Sequence, residues 1–506
     1  MRVKPGIYRP LLIISFIAVN ALIIYGLAST WSFLNTGADK STILHITAEI
    51  ESAYRPKFNW TLEGQEGRDL EKQTLKDIER DYKSAWYVRY NALASNNPYG
   101  LGDYYTDDAQ KFLFNLLDGN RSQNVFFRGT SITHNPEFLF YSLDGKLVVF
   151  NDMNVETFEE TYKSGELVFS GIDVSSYQVT MLLEDGFWRI RQLVKIEGGH
   201  QAKSENSVFT KEQIQKIRGI NYYTKEHPWE MFGKNFDQKQ IEADFKLIKE
   251  MSFNSVRIFV PYEEFGGANV QEEYLEQLKS LLDIAQNHDI KVMITLFDFY
   301  GNYDVLDWTL TNRHAETVVN SVKDHPAIFS WGIKNEPDLD FESRGRDKVI
   351  SWLTNMTKQV RIWDSTHPIT IGWSTPESAS ELMDEVDYVS FHYYGDADNF
   401  QESYLQLKSE VEDKALVLQE YGFSSYSGIW NGFTNSENNQ KKYLTEIQQV
   451  IEKENIPYYF WTLYDFEKVP SKVAGRLPWR KAKQKHFGII DTQEKPKPSH
   501  DIFPKK

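Results

Sequence analysis

Downstream of residue 217 the chain alternates short apolar runs with longer amphipathic segments. The apolar runs are Ile217–Tyr222, Ser255–Val260, Lys291–Phe297, Ile328–Lys334, Ile369–Trp373, Tyr388–His392, Ala415–Gln419 and Tyr458–Leu463. Their length and their content of β-branched and aromatic residues predict strands. Between them, Asp237–Met251, Glu272–Asn287, Lys348–Ile362 and Asn439–Lys453 repeat apolar positions at helical spacing. Eight strands joined by helices over about 280 residues predict an α/β fold of the (β/α)8 barrel type. A doubly wound open sheet is the rival, but no Gly-rich phosphate turn follows the first strand.

Upstream the pattern differs. Leu62–Leu93 predicts one long helix and Asp107–Leu117 a second. Six short strands are then predicted at Phe138–Tyr141, Lys146–Phe150, Glu156–Tyr162, Glu166–Val174, Ser176–Leu183 and Trp188–Ile196, with turns at Asp144-Gly145 and Asp185-Gly186. Helices followed by an antiparallel sheet make an α+β domain. The Gly/polar stretch Gly198–Ser204 marks its end. At the extreme N-terminus, Leu11–Ala28 is almost wholly apolar and follows Arg2, Lys4 and Arg9. Eighteen helical residues reach about 27 Å, close to a bilayer core of about 30 Å. The expectation is one transmembrane helix with the N-terminus in the cytoplasm and the remainder extracytoplasmic, in a periplasm or at a cell surface. Cleavage after Gly26-Leu27-Ala28 and secretion is the alternative. The expected organisation is thus a cytoplasmic tip, anchor and spacer over 1–38, an accessory domain over 39–200, and the barrel over 201–506.

Composition narrows the chemistry. Lys and Arg number 56 against 72 Asp and Glu, a formal charge of −16, so broad electrostatic capture of nucleic acid is not expected. The chain has no Cys, which removes disulfides, zinc–thiolate sites and a Cys nucleophile. No ligand cluster stands out, and neither a metal nor an organic cofactor is expected.

In such barrels the active site gathers at the C-terminal ends of the strands. The fourth predicted strand runs into Asn335-Glu336-Pro337 and the seventh into Glu420-Tyr421-Gly422, placing one carboxylate on the rim from each. Two convergent carboxylates are what glycosidic cleavage needs, one protonating the leaving oxygen and the other attacking the anomeric carbon. The loop after the eighth strand, Asp465–Lys485, is basic, with Arg476, Trp479, Arg480, Lys481, Lys483 and Lys485, and suits an acidic glycan, an anionic lipid or plain solvent.

His325-Pro326-Ala327-Ile328-Phe329-Ser330-Trp331 leading into Asn335-Glu336-Pro337 resembles the clan A glycoside hydrolases, family 5 (the cellulase and mannanase family) above all. Arg218-Gly219-Ile220-Asn221, Arg257, His392-Tyr393-Tyr394, Trp461 and the closing His486–Asp491 stretch agree with it in order. The resemblance implies a retaining β-glycosidase acting on a β-linked glucan or mannan, as polysaccharide or oligosaccharide. Glu336 would be the acid/base with a raised pKa, and Glu420 the nucleophile, kept ionised by Arg257. Asn335, His392, Tyr394, Trp461, Asn221 and Asp298 would contact or line the sugar site. Asp298 stands in a segment, Phe297–Gly301, where many family 5 members carry a His. A transglycosylase using the same residues, or a non-catalytic glycan-binding or assembly protein, are the alternatives. The upstream domain, through Ala85–Tyr90, Tyr104–Ala109 and Glu184–Ile190, resembles the nuclear-transport-factor-2-like (SnoaL-like) cone fold. That resemblance implies an accessory or interaction domain with a possible protein partner, and His134, its one candidate acid–base imidazole, reads as structural or surface.

Overall fold

The computed structural model describes residues 19–20, 23, 25–26, 53–196, 211–411 and 414–503. Among them no helix is long and apolar enough to cross a membrane. The expected anchor, Leu11–Ala28, lies for the most part outside the described residues.

The N-terminal part opens with two short strands, β1 (Lys57–Phe58) and β2 (Glu66–Gly67), both paired with β3. Helices Lys72–Ser95 and Asp107–Gln123 follow, then four antiparallel strands: β3 (Val125–Tyr141), β4 (Leu147–Lys163), β5 (Glu166–Glu184) and β6 (Phe187–Ile196). The first helix begins ten residues later than its apolar pattern predicts, and the six expected short strands are four long ones. The polar run Asn151–Asn154 reads as an interruption, yet β4 passes straight through it with a register shift between Asp152 and Val155. A buried polar cluster explains why. Asp152 turns inward to meet His134 at 2.6 Å and the Tyr82 hydroxyl at 2.8 Å, and His134 Nε2 lies 2.7 Å from Ser131 Oγ. Within this cluster each buried polar group is bonded to the next, which lets Asp152 sit in the strand interior.

The second part closes as an eight-stranded parallel barrel in sequence order: β7 (Arg218–Asn221), β8 (Ser255–Pro261), β9 (Lys291–Asp298), β10 (Ile328–Asn335), β11 (Ile369–Trp373), β12 (Val389–Tyr393), β13 (Leu416–Tyr421) and β14 (Tyr458–Phe460), with β14 pairing β7. Every strand but β14 matches its apolar run within about two residues, because strands buried on both faces read as near-continuous apolar stretches. The two parts meet along β3 and β4 and the barrel helices Trp308–Val322 and Arg346–Trp363. Phe158 packs against Trp308, the rings tilted by 32° with centroids 4.0 Å apart, and belongs to the barrel's own hydrophobic core. Arg128 pairs with Asp304, Lys57 with Glu316 at 2.7 Å, and Gln359 donates to Glu156 at 2.9 Å.

Candidate functional site at the barrel mouth

β10 ends at Asn335, and the next residue, Glu336, takes left-handed backbone angles (φ 48°, ψ 53°). For a non-glycine residue this conformation costs about 1–3 kcal/mol and persists only where surroundings impose it. Here Glu336 N–H donates to the Gly372 carbonyl on β11 at 2.7 Å, and Pro337 starts the following turn. On the opposite side, β13 carries Glu420. Two residues later Gly422 is obligatory, since a Cβ there would lie 2.4 Å from the Trp461 carbonyl oxygen.

Arg257 on β8 is wholly buried beneath the carboxylates. Its Nη1 donates to Glu420 Oε1 at 2.6 Å and to Asn221 Oδ1 at 3.1 Å, its Nη2 to Asn335 Oδ1 at 2.8 Å, and its Nε to Thr295 Oγ1 at 2.9 Å. The Tyr394 hydroxyl donates to the other Glu420 oxygen at 2.9 Å. His392 Nδ1 lies 2.9 Å from Glu336 Oε1 and 3.6 Å from Glu420 Oε2, while its Nε2 faces Gln419 Oε1 at 3.3 Å. A carboxylate oxygen of Glu336, one of Glu420 and a His392 ring nitrogen all lie within 4.8 Å of one another. These three are donors of the kind a cation recruits, but Arg257 and Tyr394 already hold both oxygens of Glu420. The set is satisfied within itself.

Above the carboxylates opens a cleft of about 400 Å³, a size typical of small-molecule sites. Tyr223, Trp229, Phe259 and Trp461 form its aromatic side, with Tyr223 stacked on Phe259 at 5.0 Å. The Trp461 indole N–H is buried and has no partner among the described residues. Arg480, Lys483 and Gln484 also line it.

The sequence profile of the Cellulase family, glycosyl hydrolase family 5, matches residues 210–467, just over half of the chain. The chain belongs to glycosyl hydrolase family 5. A β-glucuronidase from Chlorocebus aethiops is 25% identical over 305 residues, 56% of this chain and 42% of that protein. Mannan endo-1,4-β-mannosidase 3 from Arabidopsis thaliana is 24% identical over 236 residues, 37% of this chain and 54% of that one. Among solved structures, GH5_18 from Streptomyces cattleya in complex with GlcNAc has 14% identity and a TM-score of 0.46, covering 57% of this chain and 78% of that one. The chain spans less than half the length of the β-glucuronidases it matches.

Within this family 5 barrel, the residues singled out by sequence occupy two levels. Glu336, Glu420, Asn335, Asp298, Tyr394 and Trp461 line the cleft. Arg257, His392 and Asn221 do not, since each is wholly buried and acts only on the residues above it. Asn221 in particular, expected beside the sugar, hydrogen-bonds Arg257 and the Gln419 carbonyl instead. Asp298 accepts from the Tyr223 hydroxyl at 3.1 Å. The sequence reading missed Tyr223, Trp229, Phe259, Phe299 and Phe487. Tyr223 could have been found, because it follows the first strand just as Glu336 follows the fourth.

Electrostatically, Glu336 departs from the expectation of a raised pKa. Burial alone pushes its carboxyl up, but the hydrogen bond and charge of His392, with Arg257 and Lys334 beyond, outweigh burial and leave it below the ordinary carboxylate value. Burial works against a charged His392, yet Glu420 and Glu336 together raise it above an ordinary histidine. Tyr394 is pushed well up by burial and by Glu420, so it stays a donor to that carboxylate.

Outside the barrel, Ser131, His134 and Asp152 stand in the order of a hydrolytic relay. All three side chains are fully buried, and the Tyr54 hydroxyl closes the far side of Ser131. None of the three side chains is open to solvent.

Proposed function

We propose that this chain is a retaining glycosidase that cleaves β-linked glycans by double displacement. The observation that carries the reading is the approach of the two carboxylates, with oxygens within 4.8 Å. Retaining enzymes hold their carboxyl groups about 5–5.5 Å apart and inverting ones about 6.5–9.5 Å, the extra space housing the attacking water. Glu420 is the nucleophile. Arg257 and Tyr394 hold one oxygen each, so the carboxylate is oriented before substrate arrives and loses little freedom on attack. Glu336 protonates the departing oxygen, then takes a proton from the water that releases the glycosyl group from Glu420. Asn335 spends its carbonyl on Arg257, which leaves the amide nitrogen as donor to a sugar hydroxyl. The Trp461 indole N–H serves the sugar in the same way, and the rings of the aromatic side receive its apolar face.

Glucan and mannan are the substrate backbones that suit a family 5 barrel, and one relative is named for endo-β-1,4-mannan cleavage. Incubation with an activated 2-deoxy-2-fluoro-β-glycoside tests the reading. Mass spectrometry should find one sugar on the peptide holding Glu420, and nuclear magnetic resonance should find the β-anomer released first from an ordinary substrate. A label on Glu336, or an α-anomer, overturns the assignment.

A further inference from the structure

One segment lining the cleft has an unusual composition. Residues 471–485 hold six cations and no acid, in a chain with a net charge of −16. The short helix Pro478–Gln484 places Arg480, Lys483 and Gln484 at i, i+3 and i+4, on one face, and all three line the cleft with Glu336 and Glu420. Other cations beside the cleft are already paired, Arg257 with Glu420 and Lys472 with Glu264. Among the described residues, neither Arg480 nor Lys483 has an acidic partner. Both therefore present positive charge, uncompensated by a protein carboxylate, to the cavity that holds Glu336 and Glu420. The other side of the segment continues outward as aromatic surface. Trp479 packs on Trp430 with centroids 5.7 Å apart, and Ile429 and Phe433 beside Trp430 are largely exposed.

We propose that the cleft takes a glycan whose sugar units carry anionic groups, uronate or sulfate, and that Arg480 and Lys483 select it. This rests on the glycosidase reading. A neutral sugar can accept hydrogen bonds from these groups but leaves their charge uncompensated. An anionic unit gives each a charge-assisted hydrogen bond, with Arg480 able to grip a planar carboxylate through two N–H groups. The Trp430–Trp479 ledge then carries the next units of the chain by stacking. An anionic membrane is the rival occupant of a basic, aromatic surface. It fits less well, because Arg480 and Lys483 face the same cavity as the catalytic pair, and a bilayer on them would block the cleft.

The test uses the full chain and four β-1,4-linked oligosaccharides: glucuronan and mannuronan fragments, and their carboxyl-reduced counterparts, which are cello- and manno-oligosaccharides. Sulfated cello-oligosaccharides form a fifth arm that separates sulfate from carboxylate. In at least one pair the anionic member should have kcat/KM about tenfold or more above its neutral partner, a preference that shrinks as salt rises. Arg480→Gln with Lys483→Gln should cut that ratio by about tenfold, whereas Lys481→Gln, whose ammonium bonds Ser471, should leave it in place. A ratio near one in every pair, or equal loss in Lys481→Gln, overturns the proposal. So does binding to phosphatidylglycerol vesicles that the double variant loses while the oligosaccharide ratio stays unchanged. If activated aryl β-glycosides are not cleaved either, the glycosidase reading has failed. Calorimetric binding of the same pairs then decides this proposal alone.

Discussion

The imidazole of His392 lies 2.9 Å from Glu336 and bridges, at longer range, to Glu420 on the opposite strand. One ring therefore serves both carboxylates. It holds Glu336 toward the ionised form, the form that the proposed double displacement would need as a base in its second step rather than as an acid in its first. On the proposed double displacement, glycosylation of Glu420 would remove the largest charge raising His392 and leave Glu336 as the carboxylate bonded to its ring. The same contact limits the first step, because protonated Glu336 becomes scarce as pH rises.

A pH shift follows directly. His392→Asn removes the largest contribution lowering Glu336, so the acid keeps its proton to higher pH. The alkaline limb of the kcat/KM profile should move to higher pH, with a reduced maximum. A limb that stays put or moves down contradicts the pairing.

The two glutamates should fail differently. Glu336→Ala should lose about 10²–10⁴ in kcat/KM on poor leaving groups yet keep most of its kcat/KM on dinitrophenyl glycosides while kcat falls, with azide giving a glycosyl azide of retained configuration. Glu420→Ala should form no covalent intermediate, and azide should yield the inverted product. Product configuration by nuclear magnetic resonance distinguishes them.

Arg257→Met should be costly to the fold as well as to activity. It leaves Glu420 buried with its cation removed, and breaking one side of a buried pair costs about 3–5 kcal/mol. Arg257 also holds Asn335, Asn221 and Thr295, so denaturant unfolding should show a clear loss of stability. A variant as stable as the parent would mean the pair contributes nothing net.

The contact between the two parts should reach the site. Asp304, paired with Arg128, lies on the loop after β9 whose near end supplies Asp298 and Phe299 to the cleft. Arg128→Ala should raise KM a few-fold with little change in kcat, and should speed amide exchange over residues 299–307. Unchanged exchange there would show that the loop holds itself.

The sequence disclosed the barrel more fully than the site. Strand runs such as Ile369–Trp373 carry their own signal, and a polar group just past such a run marks the rim. Glu336 and Glu420 were legible for that reason. Asn221 and His392 sit at the same strand ends but one level lower, and a strand's alternation does not say which level a side chain occupies. The lowered pKa of Glu336 was hidden because it depends on His392, 56 residues away. In the N-terminal sheet, Asp152 fell between two predicted strands because its partner, His134, lies on the neighbouring strand.

Phe158 gives the last consequence. It belongs by sequence to the N-terminal sheet and by packing to the barrel. Cutting the chain near residue 210 would strip Trp308 of that ring and bare an apolar scar on the barrel's flank, beside the broken partners of Asp304 and Glu316. A barrel expressed alone would carry an adhesive face that the whole protein hides, and its self-association would report on the cut rather than on the enzyme.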